Sequence, residues 1–377
     1  MASIKQRSDG VWRARYRDDA GREHARHFKL KRDAQRWLDE VATSLVTGQY
    51  VDPRAARITF REYAEAWLDA QVHRASTADL YRGHLERHAY PVFGSVPLAS
   101  VLPTTVQGWV KGLTLDVEGG RSALAPATVG VVYTVVASVF RAAVRDRKLM
   151  VTPCDGIALP EVTKTRVTPL TTAQVDVLAE MVPLELRAAV ILAAGTGMRQ
   201  GEVLGLTRDR LRLLGKNPAV TIDRQLVTTS GGQTRFGPPK TPASRRTIPL
   251  PRVVVAALNE HLAIFDVPDD GLLFTMRGKG ITRQRFGHAW RPAAAAAGLT
   301  EATGTGMHAL RHYYASLLIR YGESVKTVQD RLGHRSATET LDTYGHMWAD
   351  SDDRTRDAVD SVLGSADAVR TRAEGSA

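Results

Sequence analysis

The stretch Gly195-Thr196-Gly197-Met198-Arg199-Gln200-Gly201-Glu202 interrupts two apolar runs of the chain. The run that precedes it, Leu186 to Ala194, predicts a buried helix. Two glycines shortly before Arg199 predict that its side chain lies near the start of a second helix, where outward-pointing backbone N–H groups favour an anion. This stretch therefore predicts an arginine in an anion-binding position between two packed helices.

Four further polar segments follow along the same part of the chain. His308 and Arg311 are spaced i, i+3, which places both side chains on one helix face. The others are Pro239-Lys240-Thr241, Leu332-Gly333-His334 and Thr343-Tyr344-Gly345-His346. Each pattern alone is typical of ordinary structural or surface residues. Together they form a set that can handle a phosphate: two arginines, two histidines, one lysine and one hydroxyl nucleophile.

Several other kinds of site are disfavoured by the sequence. No GxxxxGK[ST] loop and no cluster of metal-binding carboxylates is visible, which argues against an ATPase and a two-metal nuclease. His84 and His88 are spaced i, i+4, but Glu86 is not adjacent to the first histidine and no third ligand is obvious, so we interpret the pair as structural. Cys154 is the single cysteine, which excludes an internal disulfide and a cysteine-ligated zinc. We expect no metal and no cofactor.

The charge of the chain indicates a polyanionic partner. The 377 residues carry a formal net charge of +11, counted as Lys and Arg minus Asp and Glu. Residues 1–50 contribute +4, residues 57–160 contribute +2, residues 161–350 contribute +7 and residues 351–377 contribute −2. The positive charge is thus spread over three segments, although charge alone leaves a generic basic protein equally open.

The sequence indicates a soluble intracellular protein. Residues 1–5 lack an apolar signal-peptide core. The longest mostly apolar stretch, Val129 to Phe140, is shorter than the roughly 20 residues of a spanning helix. A single cysteine fits a reducing cytoplasm.

Residues 1–55 predict a small sheet followed by a helix. Residues 9–29 indicate a hairpin with a turn at 18–21, and Lys31 to Thr47 a helix. The first strand alternates, with Trp12, Ala14 and Tyr16 on one face and three arginines on the other: Arg13, Arg15 and Arg17. The arginine face predicts contact with DNA, because strands can enter its grooves. A structural sheet with a solvated face is the alternative.

Residues 56–160 predict an all-α domain after a linker at residues 52–57. Thr59 and Glu62 form a capping box, and Ser76 with Asp79 indicates the start of a second helix. The loop that follows contains Pro91, Gly94 and Pro97. Two more helices are predicted over 103–112 and 127–148, and a second linker over 151–168.

Residues 161–350 predict a helix-dominated α+β domain with a small antiparallel sheet. A helix is expected after the N-cap Thr171 and another over 186–194. Strands are expected over 219–228 and 247–250. The remaining predicted helices span 253–264, 283–297, 307–321 and 325–332.

These motifs resemble those of the tyrosine recombinase family, which includes the phage integrases. Thr196 to Leu206 is similar to the family's first arginine box, and Pro239 to Thr241, with Arg245 to Leu250, to its lysine hairpin. His308 to His312 is similar to the central box, and the segments at Gly333 and Tyr344 to the final box. The resemblance is strongest over 165–350, weaker over 57–155 and loosest over 1–50.

The resemblance implies a multidomain fold. It implies an α+β arm-type DNA-binding domain at 1–55 (a three-stranded sheet plus a helix) and an all-α, SAM-like core-binding domain at 56–160. It further implies a catalytic domain at 161–350 and a tail at 351–377 that packs on a neighbouring protomer in trans. A disordered terminus is the alternative for this tail.

The resemblance also implies an activity: a site-specific recombinase that integrates or excises a mobile element. Tyr344 would attack a phosphodiester and form a 3′-phosphotyrosine. Arg199 and Arg311 would clamp the phosphate oxygens, and Lys240 would protonate the leaving 5′-oxygen. His308 and His334 would donate hydrogen bonds or shuttle protons, while Glu202 would orient Arg199. Arg245 joins the three strand arginines as a candidate DNA contact.

The implied partners are double-stranded attachment sites and three further copies of the chain on DNA. A DNA-bending host factor, an excision factor and a location on the nucleoid follow by the same resemblance, with no membrane. Three alternatives are a type IB topoisomerase, a recombinase that resolves replicon dimers, and a DNA-binding regulator without strand cleavage. The complete set of six active-site residue types argues against the regulator.

Overall fold

The fold is described from a computed structural model of the chain. The described residues are 2–17, 21–46, 57–116, 120, 122–163, 168–229, 232–300, 304–348, 356–357 and 359–363. The chain divides into two compact units, residues 1–163 and 164–377. Residues 18–20 of the predicted turn at 18–21 and residues 52–56 of the predicted linker at 52–57 lie outside the described residues.

The N-terminal part of the first unit is a sheet with one helix. Its antiparallel strands follow one another in chain order: β1 Ser3–Gln6, β2 Trp12–Arg17 and β3 Glu23–Phe28. Helix α1, Lys31–Val46, packs on the sheet through a small core that contains Ala14, Tyr16 and Leu38. The predicted alternation of β2 is confirmed, because its arginines are exposed while Ala14 and Tyr16 are buried.

Among the described residues, the rest of the first unit contains five α-helices: α2 Phe60–Asp69, α3 Ala75–His84, α4 Tyr90–Phe93, α5 Pro103–Leu113 and α6 Pro126–Arg145. A π-helical segment, Leu85–Ala89, joins α3 to α4. The predicted capping box at the start of α2 is confirmed, with Thr59 and Glu62 each bonded to the other's backbone N–H. The apolar faces of these helices form one core around Phe60 and Phe140.

Two predicted boundaries in this unit are wrong. Helix α3 begins at Ala75 because Arg74 already has the extended backbone of an N-cap, so Ser76 lies in the first turn and caps nothing. Pro91 lies inside α4 rather than in a loop, since the first turn of a helix tolerates a residue without an N–H. Gly94 ends α4, and the predicted loop begins there.

Helix α6 is longer than the apolar run Val129 to Phe140, whose length we used to argue against a membrane-spanning helix. The helix has 20 residues, and it is the one helix among the described residues that is long and apolar enough to cross a membrane. The sequence estimate fell short because Pro126 begins the helix and Arg145 ends it, beyond the apolar run. Half of the apolar stretch of α6 is buried, and Val132, Val136 and Phe140 pack into the core of the helical domain. This burial is typical of a core helix in a globular domain.

The second predicted linker is also partly wrong, because its first residues pack on the helical core. Cys154 is buried, and its carbonyl accepts a hydrogen bond from Tyr133. The Gln107 side chain bonds both the N–H and the carbonyl of Ala158, at 2.9 and 3.1 Å. Residues 164–167 lie outside the described residues.

The second unit is built around α8, a helix that is mostly buried after Arg187. Its helices are α7 Thr172–Met181, α8 Leu184–Thr196, α9 Gln200–Leu204, α10 Arg252–Ile264, α11 Arg283–Ala296, α12 His308–Arg320, α13 Val325–Leu332 and α14 Ala337–Tyr344. Thr171 caps α7 as predicted. Helices α7, α10 and α12 surround α8, which explains why its sequence lacks a polar face.

Over the described residues of the second unit, the strands form three small antiparallel sheets rather than the single sheet that we predicted. They are β4 Leu211–Arg212, β5 Ala219–Ile222, β6 Gln225–Thr228, β7 Thr234–Gly237, β8 Arg246–Pro249, β9 Thr275–Met276 and β10 Lys279–Gly280. The sheets are β4-β5-β8, β6-β7 and β9-β10. The run at 219–228 is therefore two strands in two sheets, and the hairpin β6-β7 precedes Lys240.

Candidate active site

Arg199 lies at the junction between α8 and α9. Helix α8 ends at Gly197, whose φ of +65° is in the left-handed region, and a Cβ there would come within 2.6 Å of the Tyr314 ring. Arg199 then takes the extended N-cap position of α9. The glycine is thus required where the chain turns, and the predicted placement of Arg199 at a helix start is confirmed.

A buried carboxylate holds Arg199 in place. Glu202 is 2% exposed, and it accepts hydrogen bonds from the Arg199 backbone N–H at 2.9 Å and from Nη1 at 3.1 Å. Its other partner is Arg246 on β8, whose Nη2 donates to Oε2 at 2.9 Å. Burial alone would raise the pKa of Glu202, but Arg246 and Arg199 outweigh it and hold the pKa below its usual value.

Arg199 also joins segments that are distant in sequence. Its Nη1 donates to Ser244 Oγ at 3.1 Å, and its Nη2 donates to the carbonyl of Gly333 at 3.3 Å. Ser244 lies just before β8, and Gly333 directly precedes His334. One guanidinium group therefore ties the first arginine box to the lysine segment and to the final box.

Arg311 is buried on α12 and keeps one nitrogen available. The residue is 1% exposed, and its Nη1 donates to the carbonyl of Gly197 at 2.8 Å. Nη2 is also buried but has no hydrogen-bond partner within the described residues. Burial and the nearby Arg199 lower the pKa of Arg311 to about 9, so the group stays charged at neutral pH. A buried cationic N–H without a partner is costly, and an anion would satisfy it.

Tyr344 is the last residue of α14 and is 1% exposed. The predicted short polar segment around Tyr344 is therefore the end of a helix, which we did not predict. Its Oη lies 2.8 Å from His312 Nδ1, and its ring stacks on His334 with centroids 6.4 Å apart. Burial raises the pKa of Tyr344 to about 12, while Arg311 and Arg199 oppose the rise. Both guanidinium groups therefore lie within electrostatic reach of the hydroxyl.

Three histidines near Tyr344 are neutral at physiological pH. Burial, followed by the positive charge of Arg311, lowers the pKa of His312 and of His334 to about 4. For His308, partial burial of the ring, His312 and Arg311 lower the pKa to about 4. His334 Nδ1 lies 2.8 Å from Thr340 Oγ1, and the His308 ring lies 4.8 Å from that of His312.

Within the described part of the chain, no contact joins Lys240 to the other five candidate catalytic residues. Its side chain is exposed after β7, and its neighbour Thr241 lies 3.0 Å from Ser244 through their hydroxyl oxygens. Ser244 in turn accepts from Arg199, so the lysine segment is tied to the site through two hydroxyl groups. Arg245 is exposed in the same segment.

The three strand arginines belong to the other compact unit. All three are exposed on β2. Arg13 and Arg15 both form ion pairs with Glu23 on β3, at 3.5 and 3.8 Å. Their contact with DNA stays a prediction.

Sequence reasoning missed two residues of this site as functional candidates. His312 could have been found, because it lies i, i+4 from His308 on a helix that was predicted. Arg246 carries no such signal, since only the tertiary fold brings β8 beside Glu202. Within the described residues, no three His, Cys, Asp or Glu side chains are grouped as a metal ion requires. The site is thus a buried hydroxyl beside two guanidinium groups, suited to a phosphate.

Comparison with known proteins shows similarity to integrases. A model of the phage integrase family matches residues 168–350. The integrase of Mycobacterium phage D29 is 27% identical over 320 residues, which cover 82% of this chain and 82% of that protein. A putative prophage phiRv2 integrase of Mycobacterium tuberculosis is 26% identical over 357 residues, covering 91% and 90%.

Solved structures share the fold. The integrase of transposon Tn1549, solved with transposon right-end DNA, has a TM-score of 0.65 at 22% identity and covers 81% of this chain and 100% of that one. A lambda integrase dimer bound to a COC′ core site has a TM-score of 0.55 at 18% identity, covering 93% and 95%. The helix-rich unit with small sheets and the small N-terminal β domain therefore belong to a known architecture.

Proposed function

Because the chain is a tyrosine-type site-specific recombinase of the phage integrase family, we propose that Tyr344 is the nucleophile that cleaves a DNA strand. Its Oη forms a bond to the scissile phosphorus, the bond from phosphorus to O5′ breaks, and the protein is left on a 3′-phosphate. The released 5′-hydroxyl of the partner strand reverses the same step and reseals the DNA. The covalent bond conserves the energy of the phosphodiester throughout.

One observation carries this assignment: among the described residues, buried Arg311 Nη2 has no hydrogen-bond partner, and Arg311 and Arg199 both act electrostatically on Tyr344. A phosphate between Arg199 and Arg311 would satisfy that N–H and balance both charges. Charge grows on the phosphate oxygens in the transition state, so such donors contribute several kcal/mol, on the order of 3 for each. We assign His308 and His334 the role of hydrogen-bond donors to the phosphate, as neutral imidazoles.

Two parts of the site must move for catalysis. Tyr344 is buried, so the phosphate reaches Oη only after α14 shifts. Lys240 is exposed at the end of a hairpin. We assign it the role of proton donor to the leaving 5′-oxygen when the hairpin closes on DNA. Glu202 and Arg246 keep Arg199 fixed while this happens.

The substrate that we propose is a pair of double-stranded attachment sites of a mobile element. The arm-type sheet at 1–55, the helical domain at 56–160 and the basic segment around Arg245 are assigned to DNA contact. Phage integrases among the relatives, and the solved lambda integrase tetramer bound to a Holliday junction, support a tetramer that acts on DNA in the nucleoid. The same likeness implies a DNA-bending host factor and an excision factor. The tail at 351–377 is assigned to packing in trans.

The alternatives have less support than recombination. The family model is that of phage integrases, and the relatives that span more than four-fifths of the chain include integrases and a XerC-like tyrosine recombinase. These relatives do not favour a topoisomerase or a regulator.

The nucleophile is tested with a suicide substrate, a nicked core site from which the cleaved end diffuses away. We expect the wild-type protein to accumulate a covalent adduct that survives SDS, and Tyr344→Phe to form none, because it lacks the attacking oxygen. Tyr321→Phe, at a tyrosine that is 82% exposed on the same unit, is the matched control and should behave as wild type. An adduct that persists in Tyr344→Phe would refute the assignment.

A further inference from the structure

Helix α12 presents more than the two residues of the central motif to the site. His308, Arg311 and His312 occupy positions i, i+3 and i+4, which share one face of the helix. Arg311 uses this face to reach Gly197, and His312 uses it to reach Tyr344. Arg311 and His312 therefore act on the two reacting groups: Arg311 on the phosphate and His312 on the nucleophile, Tyr344.

The direction of the hydrogen bond between Tyr344 and His312 is set by the tautomer of the imidazole. At neutral pH the imidazole is uncharged, since burial lowers the pKa of His312 to about 4, and the phenol is protonated. In the tautomer that carries its hydrogen on Nε2, Tyr344 Oη donates over the 2.8 Å separation and Nδ1 accepts with its lone pair. Proton transfer to His312 requires that this contact is kept when α14 shifts to admit the phosphate, so that Nδ1 takes the proton that it already accepts.

The other groups around the hydroxyl do not compete for this role. His334 stacks on the ring of Tyr344, and its Nδ1 is bonded to Thr340. His308 contacts His312 rather than the tyrosine hydroxyl. Arg311, Arg199 and Glu339 act on Tyr344 electrostatically, and only the first two favour the phenolate.

We propose that His312 Nδ1 is the general base that takes the phenol proton of Tyr344 as the strand is cleaved. The proposal rests on Tyr344 being the nucleophile. The O–H bond breaks and an N–H bond forms on His312, while the O–P bond forms and the bond from phosphorus to O5′ breaks. O5′ takes a separate proton from the acid on the opposite side. In ligation, the His312 imidazolium returns its proton to the departing tyrosine.

A weakly basic imidazole suffices for this step. As the O–P bond forms, the tyrosyl oxygen loses the electron density that holds its proton, so its acidity rises along the reaction coordinate. The incoming phosphate adds negative charge beside His312, which favours the imidazolium. The same low basicity keeps His312 unprotonated before DNA binds, so that Nδ1 is free to accept.

The test compares leaving groups in single-turnover cleavage of a nicked core-site duplex. One substrate carries the normal 5′-oxygen at the scissile position, and the other carries a 5′-bridging sulfur, which leaves as a thiolate without an acid. We expect His312→Asn, which can accept a hydrogen bond but cannot take a proton, to cleave both substrates about 10²- to 10⁴-fold more slowly than wild type. Lys240→Ala should be slow on the oxygen substrate and recover on the sulfur substrate.

Three results would overturn the proposal. They are wild-type cleavage by His312→Asn, recovery of His312→Asn on the sulfur substrate, and cleavage faster than wild type, which would identify the hydrogen bond as a restraint on Tyr344. His312→Gln repeats the test with a longer side chain, and thermal unfolding and gel-shift measurements select the variant that folds and binds DNA. If wild type forms no adduct or Tyr344→Phe still forms one, the nucleophile is wrong; if only the His312 comparison fails, the base is wrong.

Discussion

At the scale of single residues, Arg246 is the centre of the contacts that fix the first arginine. Its Nε donates to the carbonyl of Arg331 at 2.8 Å, and its Nη1 donates to the carbonyl of Ser244 at 2.8 Å. Both terminal nitrogens also donate to Glu202. Three segments of the second unit, at Glu202, at 244–246 and at Arg331, therefore meet at one guanidinium group that is itself almost fully buried.

We predict that Arg246→Ala destabilises the second unit. Removal of the cation leaves Arg199 as the one ionic partner of the buried Glu202 carboxylate within the described residues. Breaking a buried ion pair such as Arg246–Glu202 costs about 3 to 5 kcal/mol. Urea denaturation would show this as a lower midpoint with an unchanged slope. Arg246→Lys should lose part of that stability, because an ammonium keeps the charge but not the fork of donors.

Arg320→Ala is the matched control, since Arg320 is an exposed arginine on α12. Its free energy of unfolding should stay within about 0.5 kcal/mol of wild type. If Arg246→Ala were as stable as Arg320→Ala, Glu202 would not depend on Arg246.

The sequence predicted the motif residues but not the residues that hold them. Arg199 at a helix start and His308 with Arg311 on one helix face follow from local spacing, and the structure has them there. The contacts of Arg246 with Glu202 and of His312 with Tyr344 join residues 44 and 32 positions apart. Local periodicity carries no information on such pairs, because they depend on how the elements pack.

At the scale of elements, helix α9 and the hairpin β6-β7 are held together by glycine. A Cβ on Gly205 would lie 2.4 Å from the backbone N of Leu226, and a Cβ on Gly201 would lie 3.1 Å from the carbonyl oxygen of Leu226. The two glycines are spaced i, i+4, so they form one smooth strip of helix surface. Through this strip, the helix that begins at Arg199 lies against the hairpin that leads to Lys240.

We predict that Gly205→Ala displaces the hairpin and slows strand cleavage. The added methyl group meets backbone rather than a flexible side chain, so β6 must shift, and overpacking of this kind costs about 1 to 3 kcal/mol. A displaced Lys240 would protonate O5′ less well, and we expect cleavage of the oxygen substrate to fall at least about tenfold. The 5′-sulfur substrate should restore most of the rate.

The matched control is Gly287→Ala on α11, where a Cβ would meet no atom within 4 Å. Helical propensity should make this variant more stable, by up to about 1 kcal/mol, and leave cleavage unchanged. Equal cleavage by Gly205→Ala and Gly287→Ala would contradict the proposed coupling of α9 to the hairpin.

The elements themselves were largely predictable, and α14 shows where prediction failed. Helix α13 matches its predicted bounds, because its apolar positions repeat with helical spacing. Helix α14 buries only Thr340 and Tyr344, so it has almost no apolar period. Its start was nevertheless visible, since Ser336 and Glu339 have the spacing of a capping box and Ser336 accepts the Glu339 N–H.

At the scale of the whole molecule, the tail differs from the rest of the chain in charge and in surface. Residues 351–377 have a net charge of −2, whereas residues 1–50, 57–160 and 161–350 are all basic. The described part of the tail is helical and exposes three apolar side chains at positions i, i+3 and i+4: Val359, Val362 and Leu363 are 49%, 67% and 63% exposed. An apolar strip on an acidic helix is suited to a basic neighbour, such as a second copy of this chain.

We therefore predict that deletion of residues 355–377 weakens assembly more than chemistry. The variant should still form the covalent adduct on a single core half-site, because Tyr344 lies before the deletion. Tetramers on paired full sites, measured by mass photometry, should become scarce, since each interface loses its apolar strip. Serine at positions 359, 362 and 363 removes the strip, keeps the charge and should give the same result. Undiminished tetramers in both variants would leave the tail without a role in assembly.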